Sequence, residues 1–275
     1  MEDLTERRRV VITGASSGIG LAAAVALARR GDEVVLVGRD PARLTAAADR
    51  VRRASGRSPE LFRADFAVLD DVRRLAENLR SAYDRIDVLA NNAGAIALEP
   101  VVTVDGFELS IQANHLAPFL LTNLLADRVG RIVGTASDMH RAGALDPDDL
   151  NASLRRYRAF RAYGTSKQAN ILFTVAVAER WPHLSAYAFH PGVVRTRFAA
   201  DNRVVAFGMR FAPFLRSPER GAETLVWLAT EDPARLVPGG YYHDRRRQRP
   251  RRTATDPALA DRLWAASARA VGLDA

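Results

Sequence analysis

Thr13-Gly14-Ala15-Ser16-Ser17-Gly18-Ile19-Gly20 joins two stretches of opposite character. Before it, Val10-Val11-Ile12-Thr13 is a short apolar run that reads as a buried strand. After it, Leu21 to Arg30 is alanine-rich and reads as a helix closed by Gly31. Glycines in a turn from strand to helix let the backbone come close to a phosphate group. The helix start beyond them offers N–H groups without intrahelical partners and the positive end of the helix dipole. The spacing is G-x-x-x-G-x-G and not the commoner G-x-G-x-x-G.

Outward from this turn, strands and helices alternate. Strands are expected at Glu33 to Gly38, Leu61 to Ala64, Ile86 to Ala90, Arg131 to Ala136, Ser185 to Phe189 and Gly240 to Tyr242. Helices are expected at Pro41 to Arg53, Val68 to Ala82, Val104 to Leu125, Tyr157 to Arg180, Pro218 to Ala229 and Pro257 to Ala270. Short apolar strands separated by helices imply a parallel sheet covered on both faces, with right-handed crossovers. The expectation is one α/β domain over residues 1–275: a doubly wound sheet of about seven strands in a three-layer sandwich. Its irregular parts fall at Asp138 to Arg156 and Thr196 to Ser217, the latter a candidate substrate loop, with a C-terminal extension from about 243 to 275.

Composition narrows the function classes. There are no cysteines, which excludes disulfides, thiolate metal sites and a cysteine nucleophile. The first nine residues are charged and lack the apolar region of a secretory signal, and no apolar stretch is long enough to span a bilayer. A cytoplasmic protein without a membrane partner is expected. The net charge of +8 raises the question of nucleic acid, but the basic residues are spread along the chain. The one dense run, Arg245 to Arg252, has few interleaved aromatics and reads as a solvated C-terminal loop.

Of the 40 basic residues, 39 are arginine and one is lysine, Lys167. A chain that uses arginine wherever positive charge suffices keeps lysine where a compact ammonium is needed. Lys167 lies four residues after Tyr163, in Tyr163-Gly164-Thr165-Ser166-Lys167. On a helix the two share a face, one turn apart. An ammonium beside a phenol favours phenolate, so Lys167 is expected to lower the Tyr163 pKa and make Tyr163 an acid able to protonate a developing alkoxide.

The second strand ends in Gly38-Arg39-Asp40. In an open α/β sheet this strand end reaches the ribose of a bound dinucleotide. An acid there would bind both ribose hydroxyls. Glycine occupies that place here and Arg39 follows, so a 2′-phosphate and hence NADP(H), over NAD(H), is expected. Asp40 competes with this reading, either as a ribose ligand or as the cap of the next helix.

Together these residues resemble the short-chain dehydrogenase/reductase superfamily over nearly the whole chain. The matching motifs are Thr13 to Gly20, Asn91-Asn92-Ala93-Gly94, Asn114, Ser137, Tyr163 with Lys167, and Pro191-Gly192 with Thr196. Gln112-Ala113-Asn114-His115-Leu116, Ser166-Lys167-Gln168-Ala169-Asn170 and His190-Pro191-Gly192-Val193-Val194-Arg195-Thr196 are similar to the retinol-dehydrogenase-like branch. Ala117-Pro118 departs from the Gly-His common there, and Gly134 from Asn.

The resemblance implies an oxidoreductase that moves a hydride between a nicotinamide and a carbonyl or alcohol carbon of a fairly hydrophobic small molecule. In it Tyr163 is the proton donor, Lys167 holds the nicotinamide ribose, Ser137 polarises the substrate oxygen, and Asn114 supports a water on the path from Lys167 to solvent. Gly14, Ser16, Ser17, Gly18, Ile19 and Gly20 cradle the pyrophosphate. Arg39 takes the 2′-phosphate, Asp65 with Phe66 lies at the adenine, and Asn91, Ala93 and Gly94 line the cofactor. Pro191, Gly192, Val193 and Thr196 flank the nicotinamide. The helix from Tyr163 to Trp181 is, by analogy, the face on which a homo-oligomer would form.

Other residues read more plainly. Asp65 is also a candidate helix cap. Asn114 also reads as an ordinary buried helix asparagine. The five histidines show no metal-ligand spacing, and no metal is expected. His140, close to Ser137, reads either as a substrate contact or, more plainly, as an exposed loop residue. Phe198, Phe207, Met209, Phe211 and Phe214 serve either as a substrate lid or as core. Two rival functions share the sequence: a cofactor-binding sensor without catalysis, and a nucleic-acid binder using the arginine run.

Overall fold

The computed structural model describes residues 7–194 and 215–273. An eight-stranded sheet runs through it in the order β3-β2-β1-β4-β5-β6-β7-β8. The strands are β1 (Arg9–Thr13), β2 (Glu33–Gly38), β3 (Glu60–Arg63), β4 (Val88–Asn91), β5 (Arg131–Thr135), β6 (Ser185–His190), β7 (Tyr241–His243) and β8 (Arg246–Gln248). All pairings are parallel except β7 with β8. The step from β1 to β4 past β2 and β3 is the strand-order reversal of a Rossmann-like sheet, where ligands bind beyond the carboxyl ends of the strands.

Alternation along the strands sends side chains into two cores. Val10, Ile12, Val34 and Leu36 pack with α1 (Gly18–Arg29), α2 (Pro41–Ser55) and α7 (Pro218–Thr230). Val11, Val35, Val37 and Leu89 pack with α3 (Leu69–Ala82), α5 (Ala117–Leu124) and part of α6 (Ala159–Arg180). The result is three layers. A further helix, α8 (Pro257–Ala270), lies outside α6: Ala169, Leu172 and Ala176 meet Ala260 and Leu263, and Trp264 packs against Phe119, Phe173 and Trp181. The chain's own C-terminal helix thus covers this face of α6.

Three helices open alike. Asp40, Ser217 and Asp256 accept from the N–H groups of Arg43, Arg220 and Leu259, and proline follows each cap. The long helix expected from Val104 starts later. Thr103 to Glu108 folds as a tight turn about Gly106, whose φ is +85°, and Val104 is 82% exposed. Helix then runs through α4 (Leu109–Ile111), a π-turn (Gln112–Leu116) and α5. Apolar periodicity continued across the turn and hid it.

The arginine run is in part a strand and not wholly a loop. β7 and β8 form a hairpin through Asp244 (φ +48°) and Arg245 (φ +60°), and β8 is the exposed sheet edge. Charged side chains on an edge strand discourage pairing with another chain. Among the described residues no helix is long and apolar enough to cross a membrane, and no group of three or more acidic, histidine or cysteine side chains is placed to hold a metal.

Candidate active site

The carboxyl ends of the strands bring Thr13, Gly38, Asn91, Thr135 and His190 to one edge of the sheet. Thr13 joins two of the sequence motifs there. Its Oγ1 accepts from the N–H groups of Asn92 (3.0 Å) and Ala93 (2.9 Å) and donates to Ala90 O (3.2 Å). Asn92 Nδ2 donates to Thr13 O at 2.9 Å. Gly14, at φ +67°, lies so close that a Cβ would sit 2.9 Å from Ala93 Cα. The turn therefore requires glycine on two counts, conformation and space.

Helix α1 begins differently from α2, α7 and α8. Ser17 stands at the cap with no side-chain hydrogen bond, and the first turn holds no acid. Its N–H groups and dipole face the sheet edge unneutralised, which suits a pyrophosphate.

Tyr163 and Lys167 lie on α6 with the ammonium 5.4 Å from the centre of the phenol ring. Lys167 is 2% exposed and donates to Thr135 O at 2.9 Å. Burial pushes its pKa down to about 7. Tyr163 and Ser137 share a side-chain hydrogen bond. Because Ser137 Oγ accepts from Met139 N–H at 3.2 Å, its own proton is available toward the phenol. The expected lowering of the phenol by the ammonium is not the governing influence. Burial holds Tyr163 well above its ordinary value, and the Ser137 bond opposes it.

Asn114 lies in the π-turn, and its side chain is fully engaged. Oδ1 accepts from Ala95 N–H at 2.6 Å, and Nδ2 donates to Ala95 O (2.9 Å) and Ser166 Oγ (2.8 Å). It latches the segment after β4 to α6. A Cβ on Gly94 would sit 2.8 Å from Asn114 Oδ1 and 3.6 Å from Lys167 Nζ, so this glycine is what lets the segment lie against the pair. Pro118, four residues on, has no N–H to close an α-type bond to Asn114 O.

The model for the short chain dehydrogenase family matches residues 8–204. The chain belongs to this family. It is 52% identical over 267 residues to a Streptomyces sp. (strain C5) protein named for a daunorubicin C-13 ketoreductase, DnrU, covering 96% of this chain and 93% of that one. It is 36% identical to human retinol dehydrogenase 13, covering 98% and 86%, which places it in the retinol-dehydrogenase-like branch. The crystal structure of an Escherichia coli CFT073 short chain dehydrogenase complexed with NADPH superposes with a TM-score of 0.67 at 28% identity, covering 88% and 98%. This short-chain dehydrogenase is an oxidoreductase of the CH–OH/C=O class.

Within it, several residues sit where the sequence did not put them. Asn91 turns its amide to Thr122 Oγ1 at 2.9 Å, and Asn92 makes the contacts at the edge. Phe66 is core, 7% exposed. Asp65 accepts from Ala67 N–H, and α3 is capped instead by Asp105, which accepts from Leu69 N–H. Asp40 caps α2 and pairs with Arg43 at 3.4 Å, which commits its carboxylate. His140 is fully buried, not an exposed loop residue. Pro191, Gly192 and Val193 follow β6, with Arg216 against Gly192: a Cβ there would meet its side chain at 2.6 Å. Thr196, Phe198, Phe207, Met209, Phe211 and Phe214 lie outside the described residues.

Sequence reasoning missed Arg63. It ends β3 in register with Gly38, and its Nε donates to Arg39 O at 3.3 Å. A second guanidinium thus flanks the strand end from which glycine withholds a side chain. Nothing local marks it, because only the β2–β3 register brings it there.

Proposed function

We propose that the protein is an NADP(H)-dependent carbonyl reductase, or the reverse alcohol dehydrogenase, acting on a fairly hydrophobic small molecule, with Tyr163 as the general acid. The observation that carries this is the Tyr163–Ser137 hydrogen bond with the buried Lys167 ammonium one turn away, at the edge where α1 leaves its N–H groups uncapped. The residues present fit a dinucleotide: Gly14 to Gly20 for the pyrophosphate, Ala93 and Gly94 beside it, and Pro191 to Val193 across from them. When bound, the nicotinamide supplies or accepts the hydride.

The chain's own residues do the rest. Ser137 donates to the substrate oxygen and orients the carbonyl. Tyr163 gives that oxygen its proton as negative charge develops. Lys167 is buried and held by Thr135 O, and its compact ammonium stabilises the phenolate left behind. Any water supported by Asn114 falls to its backbone carbonyl, since the side chain is engaged. The likeness to DnrU directs the substrate search toward ketones of the daunorubicin type, alongside retinoids. A screen of NADPH oxidation over ketones, aldehydes and quinones tests the reading; binding of NADPH without turnover on any of them would leave only a sensor.

Arg39 and Arg63 together favour NADP(H) over NAD(H). Charge-assisted bonds to a phosphate contribute about 1.5–3 kcal/mol each, or roughly a tenfold to hundredfold change in Kd. Arg39→Ala and Arg63→Ala are each expected to weaken NADPH by about that factor and NADH by less than about twofold. Fluorescence titration of both nucleotides measures this, and parallel losses for the two would refute the 2′-phosphate assignment.

A further inference from the structure

His140 belongs to no part of the mechanism above, yet it is the most completely enclosed histidine next to the site, at 0% exposure. It lies on the single 3-10 turn Asp138–Ala142 that follows Ser137. Its Nε2 receives the backbone N–H of Arg251 at 3.0 Å, so this nitrogen carries no proton. The proton is therefore on Nδ1, which donates to Ser137 O at 2.8 Å. One neutral imidazole thus bridges the backbone of the active-site serine to a residue 111 positions downstream.

The downstream residue is part of a strap, 249–254, that leaves the β7–β8 hairpin. Arg251 Nη1 donates to Arg141 O at 3.0 Å, and Arg141 Nη2 donates back to Arg249 O at 3.3 Å. Gln168, next to Lys167, donates to Thr253 O at 3.3 Å. Ala254 is fully buried in a small cluster with Ala136, Ile171, Ala188 and Tyr241. The strap therefore grips both the turn that carries Ser137 and the helix that carries Tyr163 and Lys167. The turn cannot relax toward α6, because Met139 O is already so near that a Cβ on Gly164 would stand 2.5 Å from it. On its other side the turn is held to the strap by the Arg141 bonds and by the imidazole, the contact nearest Ser137, which packs edge-on to Tyr241 at 5.4 Å.

We propose that His140 is a positioning residue for carbonyl reduction, and that it fixes the Ser137 turn to the 249–254 strap so that the serine hydroxyl keeps its place against Tyr163. The strap is then a working part of the active site, and the arginine-rich hairpin is its anchor. This inference rests on the reductase reading.

The test compares His140→Ala, His140→Asn and Arg251→Pro with the wild type in single-substrate kinetics with NADPH. His140→Asn keeps a donor near the Nδ1 position. Arg251→Pro removes the N–H that meets Nε2 at a residue whose φ of −58° suits proline, and leaves the histidine intact. Arg251→Ala keeps the N–H and reads the side chain alone. Expected are a kcat lower by about tenfold to a hundredfold in His140→Ala and Arg251→Pro, an NADPH Kd within about twofold, a shifted alkaline limb of the kcat–pH profile, and partial rescue in His140→Asn. Unchanged kcat and pH profile per folded molecule in both His140→Ala and Arg251→Pro, with only a lower melting temperature, would reduce His140 to a packing role and overturn the proposal. A wild type inactive on every carbonyl would sink the reductase reading instead. Hydrogen exchange at the Met139–Gly143 amides then decides the strap separately: faster exchange in Arg251→Pro supports it, and unchanged exchange refutes it.

Discussion

Tyr163→Phe is expected to cost carbonyl reduction about a hundredfold to ten-thousandfold in kcat while leaving NADPH affinity within about twofold. The range is that of a single positioned acid or base. The variant deletes one oxygen. The ring stays in its place on α6, one turn from Lys167, so the pocket keeps its shape. What disappears is the proton that meets the developing alkoxide and the acceptor that orders the Ser137 hydroxyl. Ser137 alone can polarise a carbonyl but cannot pass on a proton from a buried ammonium. Stopped-flow measurement of NADPH oxidation, with nucleotide titration in parallel, checks both halves. Activity near wild type would remove Tyr163 as the acid, and a large loss of nucleotide affinity would recast it as a cofactor ligand.

Much of this site could be read from local chemistry. The lone lysine among arginines pointed to Lys167, and four-residue spacing on a helix joined it to Tyr163. The glycine turn after β1 followed from the change between a β-branched run and an alanine-rich one. What escaped was whatever depends on register or on distant partners. Arg63 matters only because β2 and β3 pair Gly38 with it. His140 reads as a loop residue until Arg251 closes over it. β8 lacks the apolar alternation of a strand because its residues, Arg246 to Gln248, are all exposed. Asn91 and Asn92 are adjacent and chemically identical, and only the strand's pleat decides that the first faces Thr122 and the second Thr13. Conversely, the expected effect of Lys167 on Tyr163 used charge without burial. Burial acts on both groups and moves each toward its neutral form.

That opposition gives the second large effect, on Lys167→Met. Turnover should fall at least as far as in Tyr163→Phe, because the phenolate loses its only buried cation among these contacts. Stability should change in the other direction. The folded-state pKa of Lys167 is depressed from 10.5 to about 7, so between those values the unfolded chain binds more protons than the native protein. Stability then rises with pH across that window. The cost of burying the lysine is greatest below about pH 7 and vanishes above about 10.5. Methionine has no such cost and a similar reach, so the cofactor-free variant should be more stable than wild type by an amount on the order of a few kcal/mol at pH 6. The loss of the bond to Thr135 O offsets part of this. The margin should shrink steadily from pH 7 to 10. Denaturant unfolding of both proteins at several pH values measures it, and other titrating groups cancel in the difference. A margin independent of pH would mean that Lys167 holds its proton in the native state with ordinary affinity. The ammonium would then already be stabilised by its surroundings, and the Tyr163 phenol would feel a full positive charge before any cofactor arrives.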